Sequence, residues 1–347
     1  MVQAKRPGET TGVVTLKAVA QHLGLTPGTV SAVLNDSPSA RSIPEETKNR
    51  IRAAAKELNY RPNFFARTLR NKRTYTIGVI AEEIGDSYGS AIVSGIEKYL
   101  RKRDYFFLTV VHRHDVELLN RYSQLLSERG VEGIITVDTT ILEAPTLPTV
   151  AVPGHKKIKG VTNIFLDHHR AAVLALNHLK ELNHERIAFM KGNPISSDSE
   201  DRWNAICQVA GEIGLKIDPE LTVQISTDDA SPLLGYPYTK RLLASKKPFT
   251  AIFAFNDISA IGAIRALQEE GLRVPQDVSV IGFDDIPGAA FHFPSLTTVR
   301  QPLIRMGEVA AETLLDRIEG KKDYPSEIAI EPELVVREST GRAPGSK

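Results

Sequence analysis

The chain has 347 residues, 41% of them hydrophobic, which allows two or three domains with sizeable cores. The single cysteine, Cys207, excludes a disulfide framework within the chain and suits a reducing compartment. No apolar run reaches the roughly 20 residues that a spanning helix needs, and the N-terminal tail lacks a signal-peptide core. We therefore expect a cytoplasmic protein without a membrane segment.

The net charge is only +1, but the charges are divided unevenly along the chain. Residues 1–75 hold 13 Lys and Arg against 5 Asp and Glu, whereas residues 76–347 hold 30 against 37. A basic head on an acidic body is typical of a nucleic-acid-binding module attached to a separate domain.

Two short amphipathic helices are predicted after a flexible tail over residues 1–13. Thr15 is a suitable N-cap for the first, and Gly24 ends it. Thr26 caps the second, with Pro27 at its first position, where a missing N–H costs nothing. Two short helices joined by a tight turn form a helix-turn-helix, whose second helix enters the major groove of DNA. An ordinary helical hairpin is the alternative for this pattern alone.

A third helix is predicted from Pro44 to about Asn59, with acidic residues in its first turn and basic residues further along. The segment from Asn63 to Arg70 is too short to form a stable helix by itself, because helix nucleation is unfavourable. Large apolar residues in it, including Leu69, are unusual for a free linker.

The stretches TLKAVAQHLGLTPGTVSAVLN and ELNYRPNFFARTL resemble the N-terminus of the lactose-repressor (LacI/GalR) family of bacterial regulators. The resemblance implies a helix-turn-helix DNA-binding domain over residues 14–62, then a hinge helix and linker over residues 63–75. In that family the hinge folds on DNA beside the partner subunit, and a leucine, here Leu69, wedges into the minor groove. The residues expected to contact DNA are Thr15, Thr26, Pro27, Gly28, Thr29, Ser31, Ala32, Asn35, Arg41, Asn63, Ala66, Leu69 and Arg70.

The second helix departs from the family pattern. Its outward positions are expected to be Pro27, Gly28 and Ala32, and none of these can form the bidentate hydrogen bonds that discriminate bases. The loop after this helix is about three residues longer than usual and contains Arg41. We therefore hypothesise that sequence preference depends more on the Leu69 wedge, on DNA deformability and on Arg41.

From Thr76 onward, short apolar strands alternate with amphipathic helices. Near-continuous apolar strands separated by helices predict parallel sheets covered on both faces, and the pattern restarts once, which predicts two similar lobes. Strands are predicted at residues 76–80, 105–111, 133–137, 149–152, 186–190, 250–255 and 277–283. Helices are predicted near residues 88–103, 115–129, 169–182, 200–213, 233–245, 257–270 and 302–319.

The segments FNDISAIGAIRAL and VSVIGFDDIPGAAFHFPSLTTVRQPL are similar to the effector domain of the same family. The implied fold is an all-α headpiece with a hinge helix, followed by an α/β two-lobed domain like the periplasmic binding proteins over residues 76–338. The first lobe is expected at about residues 76–166 and 301–328, and the second at about 167–298 and 329–338. Residues 339–347 are expected to form a flexible tail.

Ligands of open α/β sheets bind beyond the carboxyl ends of the strands. The residues expected to contact an effector there, between the lobes, are Glu82, Tyr88, His155, Arg202, Asn256, Asp257 and Asp284. The resemblance implies that Arg202 and Asp284 form a pair suited to vicinal hydroxyls or a carboxylate. The alternatives are a helix cap for Asp257, a turn residue for Asp284 and a surface ion pair for Arg202. Ala230 aligns with a position where some family members place an aromatic ring.

No phosphate-binding glycine motif and no catalytic triad pattern occurs in the chain. The pairs His112–His114 and His168–His169 lack metal-ligand spacing, so we expect solvated histidines, no metal and no cofactor. The chain is interpreted as a homodimeric, ligand-responsive transcriptional regulator that binds operator DNA, with repression as the expected mode. It is not expected to be an enzyme, and a sugar or sugar derivative is the effector expected. The alternatives are a solute-binding protein and a DNA-binding protein without effector control.

Overall fold

The computed structural model describes residues 14–61, 68, 72–85, 87–141, 145–153, 157–194, 196, 198–226, 234–322 and 324–345. The chain divides into two compact units, Met1–Thr74 and Tyr75–Lys347. None of the helices in these ranges has the length and hydropathy needed to cross a bilayer.

Over residues 14–61 the first unit contains three short helices, which we call the headpiece. They are α1 (Leu16–Leu23), α2 (Pro27–Leu34) and α3 (Glu45–Glu57), with a 3-10 helix at Pro38–Ser42 between the last two. The predicted caps are confirmed: Thr15 and Thr26 accept hydrogen bonds from the backbone N–H groups at the starts of α1 and α2. Val19, Val30 and Ile51, one from each helix, are fully buried and hold the headpiece together.

The second unit begins with a lobe built on a parallel sheet, the first lobe. Its strand order is β11-β5-β4-β3-β1-β2. The strands are β1 (Thr76–Ala81), β2 (Phe106–Val111), β3 (Gly133–Val137), β4 (Thr149–Val152), β5 (Val161–Leu166) and β11 (Glu327–Ile330). Its helices are α4 (Ser87–Arg101), α5 (Val116–Glu128) and α11 (Leu303–Ile318).

The second lobe has a sheet of strand order β12-β10-β9-β8-β6-β7, in which β12 alone pairs antiparallel. The strands are β6 (Ile187–Lys191), β7 (Thr222–Gln224), β8 (Ala251–Phe253), β9 (Ser279–Asp284), β10 (Thr297–Arg300) and β12 (Glu333–Val335). Its helices are α6 (His168–Glu181), α7 (Ser199–Glu212), α8 (Tyr236–Ala244), α9 (Asp257–Glu269) and α10 (Pro287–Phe291), and a 3-10 helix spans Pro219–Leu221.

The chain passes between the lobes after β5, after β10 and after β11, so each lobe contains sequence-distant pieces. On its return, α11 packs against α4 with their backbones in contact. A Cβ atom added to Gly95 would lie 2.0 Å from the carbonyl oxygen of Ile304, and one added to Gly307 would lie 2.1 Å from that of Ile92. The two glycines therefore allow the helices to cross at close range.

The prediction of a flexible tail from residue 339 is wrong for the first part of that segment. Ser339 is fully buried, and its hydroxyl accepts from the N–H of Thr297 at 2.8 Å and donates to the carbonyl of Val280 at 2.6 Å. Ala343 donates its N–H to the carbonyl of Leu182 at 2.8 Å. The polar composition suggested disorder, but these groups find hydrogen-bond partners that are distant in sequence.

Candidate nucleic-acid interface and ligand cleft

The N-terminus of α2 carries the small exposed surface that the sequence predicts for DNA. Pro27 and Gly28 are exposed, and Thr29 is half-buried. The Thr26 hydroxyl accepts from the N–H of Thr29 at 3.2 Å, so it caps the helix while remaining on the surface. Helix N-termini attract phosphate oxygens, because their free N–H groups and the helix dipole favour negative charge. Thr15 presents the same arrangement at α1, accepting from the N–H of Ala18 at 3.3 Å.

Ala32 does not face outward, so the prediction that it contacts DNA is wrong. It is 6% exposed and belongs to the headpiece core. The loop after α2 folds back over it, because the N–H of Ser37 donates to the Ala32 carbonyl at 3.0 Å and Ala40 packs into the same core. The longer loop therefore covers this face of α2, and the sequence analysis did not predict that position for it.

The end of α2 and the 3-10 helix supply the remaining described DNA candidates. The Asn35 amide donates to the Ser31 carbonyl at 2.8 Å and lies within 3.2 Å of its hydroxyl, so these two side chains form one exposed polar patch. Arg41 is exposed and forms no ion pair within the described part of the chain, which leaves its guanidinium available to a phosphate. It lines a groove of about 180 Å³ together with Lys48 and Arg52.

The hinge candidates Asn63, Ala66, Leu69 and Arg70 lie outside the described residues, as does His155 of the effector set and Ala230. The roles assigned to them remain predictions.

Tyr88, at the start of α4 in the first lobe, reaches the charged residues of the second lobe. Burial raises the pKa of its phenol well above the usual range; the carboxylates of Asp198, Asp138 and Asp284 raise it further, and Arg202 lowers it. Asp198, Arg202 and Asp284 belong to the second lobe, whereas Tyr88 and Asp138 belong to the first. The structure thus brings three of the predicted effector residues, Tyr88, Arg202 and Asp284, within electrostatic reach of one another.

Arg202 is held by contacts to three residues of the second lobe. Its guanidinium donates to the Phe255 carbonyl at 2.7 Å and to Asp198 Oδ2 at 3.1 Å, and its Cζ lies 3.8 Å from the Phe283 ring centroid. At 5% exposure it is not a surface ion pair, which excludes the alternative interpretation. Its Nε has no hydrogen-bond partner among the described residues, although buried donors are normally paired.

Asp284 ends β9 with a positive φ of 109°, a backbone conformation that a non-glycine residue adopts only when its surroundings impose it. Its Oδ1 accepts from the Gln301 amide at 2.7 Å. Burial raises the pKa of Asp284 well above its usual range, although Arg202 lowers it. The next residue, Asp285, accepts from Arg300 at 2.7 Å and from Arg337 at 2.6 Å, which fixes this loop to β10 and to the segment after β12.

Asp257 was expected in the cleft, but the structure encloses it completely. Its carboxylate accepts from the Thr298 hydroxyl at 2.6 Å and from the Ile286 N–H at 2.8 Å, so it positions the loop after β9 rather than facing a ligand. Burial raises its pKa to about 7. Asn256, not Asp257, caps α9, because its side-chain oxygen accepts from the Ser259 N–H in a capping box.

On the first lobe, Glu82 pairs with His114, with 2.6 Å between Oε1 and Nε2. The expectation of solvated histidines is wrong for His112 and His168. His112 is 5% exposed and bonds to the Thr139 hydroxyl at 2.9 Å, and burial lowers its pKa. His168 is 8% exposed, with its Nε2 3.3 Å from Asp198. The described residues contain no group of three or more His, Cys, Asp or Glu that is able to hold a metal ion.

Sequence reasoning missed Asp198, Phe255 and Gln301, which contact the predicted pair directly. Asp198 lies one helical turn before Arg202, so the spacing of four residues was the available signal. Phe255 and Gln301 gave none, because their contacts join segments distant in the chain.

Comparison with known proteins identifies the family. The profile of bacterial regulatory proteins of the lacI family matches residues 15–63, and that of the periplasmic binding protein-like domain matches residues 176–340. The HTH-type transcriptional repressor PurR of Haemophilus influenzae is 33% identical over 340 residues, covering 94% of this chain and 98% of that protein. The chain belongs to the lacI family. The PurR repressor of Erwinia tasmaniensis is 32% identical, over 96% of this chain and 98% of that protein.

Solved structures agree with this family. The lac repressor dimer bound to operator and the anti-inducer ONPF has a TM-score of 0.85 at 26% identity, with 95% of this chain and 100% of that chain covered. The complex of the transcriptional regulator CelR with cellobiose has a TM-score of 0.68 at 27% identity, with 94% and 99% covered. The prediction of a DNA-binding regulator with a helix-turn-helix and a two-lobed effector domain is therefore confirmed. The relatives are repressors and match the headpiece as well, which confirms that the chain is not an enzyme and removes the solute-binding alternative.

Proposed function

We propose that the chain is a cytoplasmic, homodimeric repressor whose affinity for a near-palindromic operator is set by a small uncharged molecule bound between its lobes. Two headpieces read the two half-sites, since operator symmetry mirrors protein symmetry. The effector favours one arrangement of the lobes, and a coupling of about 1–3 kcal/mol between the cleft and the operator site is sufficient for a useful switch.

One observation carries the effector part of the proposal. Tyr88 of the first lobe is within electrostatic reach of Asp198, Arg202 and Asp284 of the second, so a ligand bound between these groups would contact both lobes. A molecule that touches both lobes has a different binding energy in each lobe arrangement, which is the requirement for a ligand to shift a conformational equilibrium.

The charge of the cleft argues against an anionic effector. Asp138, Asp198 and Asp284 are close enough to Tyr88 to raise its pKa, whereas Arg202 is the cation that lowers it and already bonds Asp198. A further buried anion in such a site would be disfavoured by desolvation and like charge. Carboxylates instead accept hydrogen bonds from hydroxyl groups. CelR bound to cellobiose, and a LacI-type regulator of Alkaliphilus metalliredigens complexed with D-xylulofuranose, are structural neighbours that hold sugars.

Two exposed phenylalanines support assembly with a second copy. Phe291 and Phe293 are 90% and 85% exposed, and a cavity of about 590 Å³ lies beside Phe293. Adjacent large apolar side chains at this exposure are typical of an interaction surface. The lac repressor neighbour is a dimer on its operator.

The first experiment is selection of genomic DNA fragments by the purified protein, followed by affinity measurement at two salt concentrations. A shared near-palindromic site with steep salt dependence is the expected result, because phosphate contacts release counterions. Weak binding without sequence preference would contradict the proposal.

The base preferences of two variants then test how the operator is read. Arg41→Ala and Leu69→Ala are each expected to change the order in which operator variants rank by affinity. Pro27→Ala, at the N-terminus of α2, is the variant with which they are compared. If both variants keep the wild-type ranking, sequence preference does not come from the loop or the hinge.

A further inference from the structure

A groove of about 650 Å³ lies at the amino end of the second sheet, in front of β6 and β8. Three loops border it: the loop before β6, the loop after α7 and the loop before β8. We call it the amino-edge groove. Asp284 ends β9, which runs parallel to β8, so the groove and this cleft residue lie at opposite edges of one sheet. Its volume is in the range of about 300–1,000 Å³ that is typical of small-molecule sites.

The loops that border the amino-edge groove are joined to one another. The N–H of Thr250, before β8, donates to the carbonyl of Arg186, before β6, at 2.9 Å. Lys247 Nζ, in the loop before β8, lies 3.1 Å from Asp218 Oδ2, in the loop after α7. The groove is therefore formed before any ligand arrives, and a preorganised site loses little conformational entropy on binding.

Part of the lining is apolar. Ile213 and Leu215 are half-buried, and each packs on the core of the second lobe while bordering the groove. Pro248, on the other side, is exposed. Covering this apolar surface with an apolar group removes both from water, which is favourable.

The charged side chains around the groove are mostly basic. Four cations, Lys180, Arg186, Lys216 and Lys247, border it against two carboxylates, Glu185 and Asp218. Lys247 is neutralised, because it pairs with Asp218 and with Glu220. Arg186 and Lys216 are exposed, and neither forms an ion pair within the part of the chain that the structure describes. Residues 76–347 hold 30 basic residues against 37 acidic ones, so the groove is a basic site on an acidic domain.

We propose that the amino-edge groove binds a small amphiphilic anion, a carboxylate attached to an apolar body. The apolar body lies on Ile213 and Leu215, and the carboxylate pairs with Arg186 and Lys216. Neither an apolar surface nor free cations alone would select this class, but together they complement both halves of such a ligand. Aliphatic and aromatic acids share this chemistry. The site is separate from the cleft, so it does not depend on effector control.

The test is calorimetry on the full chain with two acids, octanoate and naphthoate. Each has a counterpart with a similar apolar body and no negative charge, which is octylamine for the first and naphthalenemethanol for the second. Hexaglutamate supplies carboxylates without an apolar body and represents an acidic protein segment. The variant is Arg186→Gln combined with Lys216→Gln, whose folding is checked by circular dichroism. The matched control is Arg170→Gln combined with Arg241→Gln, since both arginines are exposed in the same lobe but do not line the groove.

At least one acid is expected to bind the wild type more tightly than its counterpart and than hexaglutamate. The groove variant should weaken that acid about fivefold to tenfold, the loss that two exposed ion pairs give, while the control variant keeps wild-type affinity. Added salt should weaken the wild type more than the groove variant, because salt screens exposed charges. The acid that binds more tightly distinguishes an aliphatic from an aromatic ligand.

Four results would overturn the proposal. They are no binding by either acid, equal binding by the uncharged or cationic counterparts, unchanged affinity in the groove variant, and an equal loss in the control variant. Hexaglutamate binding as tight as that of the acids would assign the groove to acidic protein segments instead.

Discussion

Gly95→Ala tests whether the first lobe depends on close contact between α4 and α11. The added Cβ would lie 2.0 Å from the Ile304 carbonyl oxygen, compared with an ordinary contact of about 3.5 Å, so the helices must separate by about 1.5 Å. Overpacking costs about 1–3 kcal/mol, and the upper end applies because the obstructing atom is backbone. Alanine recovers about 1 kcal/mol of helix propensity. We expect a net loss of about 2 kcal/mol in the free energy of unfolding.

The assay is urea unfolding followed by circular dichroism, with Gly211→Ala as the matched control. Gly211 lies in α7, where a Cβ atom added to the residue would have no heavy atom within 4 Å, so alanine there should stabilise the protein by about 0.5–1 kcal/mol. Gly307→Ala should repeat the loss, since its Cβ would lie 2.1 Å from the Ile92 carbonyl oxygen. If Gly95→Ala unfolds at the wild-type urea concentration, the helices are not in contact and the reasoning fails.

Three further outcomes are expected. Arg202→Met leaves Asp198 buried without its main partner and should cost about 3–5 kcal/mol in urea unfolding; adding Asp198→Asn should recover more than half, and no recovery would refute the pairing. Burial lowers the pKa of His184, so its contribution to stability is complete above the ordinary histidine pKa and is lost as the pH falls through the folded-state pKa. The midpoint of thermal unfolding should fall between pH 7.5 and 5, and His184→Gln should make this dependence on pH less steep. An unchanged pH dependence in His184→Gln would contradict the role of His184. Phe291→Asp combined with Phe293→Asp should raise the dimer dissociation constant about tenfold or more in sedimentation, whereas wild-type assembly would exclude this surface.

Local signals in the sequence were sufficient for most elements. Thr15, Gly24, Thr26 and Pro27 act through hydrogen bonds and dihedral angles within a few residues, and α1 and α2 begin and end where these residues predict. Seven strands were found from their apolar runs. The strands β5, β10 and β11, which adjoin the crossings between the lobes, and the three-residue strands β7 and β12 were not predicted.

The sites were predicted less completely, since a side chain's direction depends on what covers it. Helical spacing alone placed Ala32 on the outer face of α2, and only the folded loop that covers it reverses this assignment. Asp257 stands beside a cleft strand in sequence, yet Thr298, about forty residues later, encloses its carboxylate. In both cases a segment distant in the chain decides the exposure.

The sequence by itself determined the family, the helix-turn-helix and most of the alternating strands and helices, because motif spacing and periodicity are properties of local chain geometry. Only the tertiary structure decided that Asp198 is the carboxylate bonded to Arg202 and that Phe255 forms the aromatic surface beside it. It also decided that Ser339 lies buried in the second lobe. These contacts join positions that the chain brings together only by crossing between its lobes, and no local pattern encodes them.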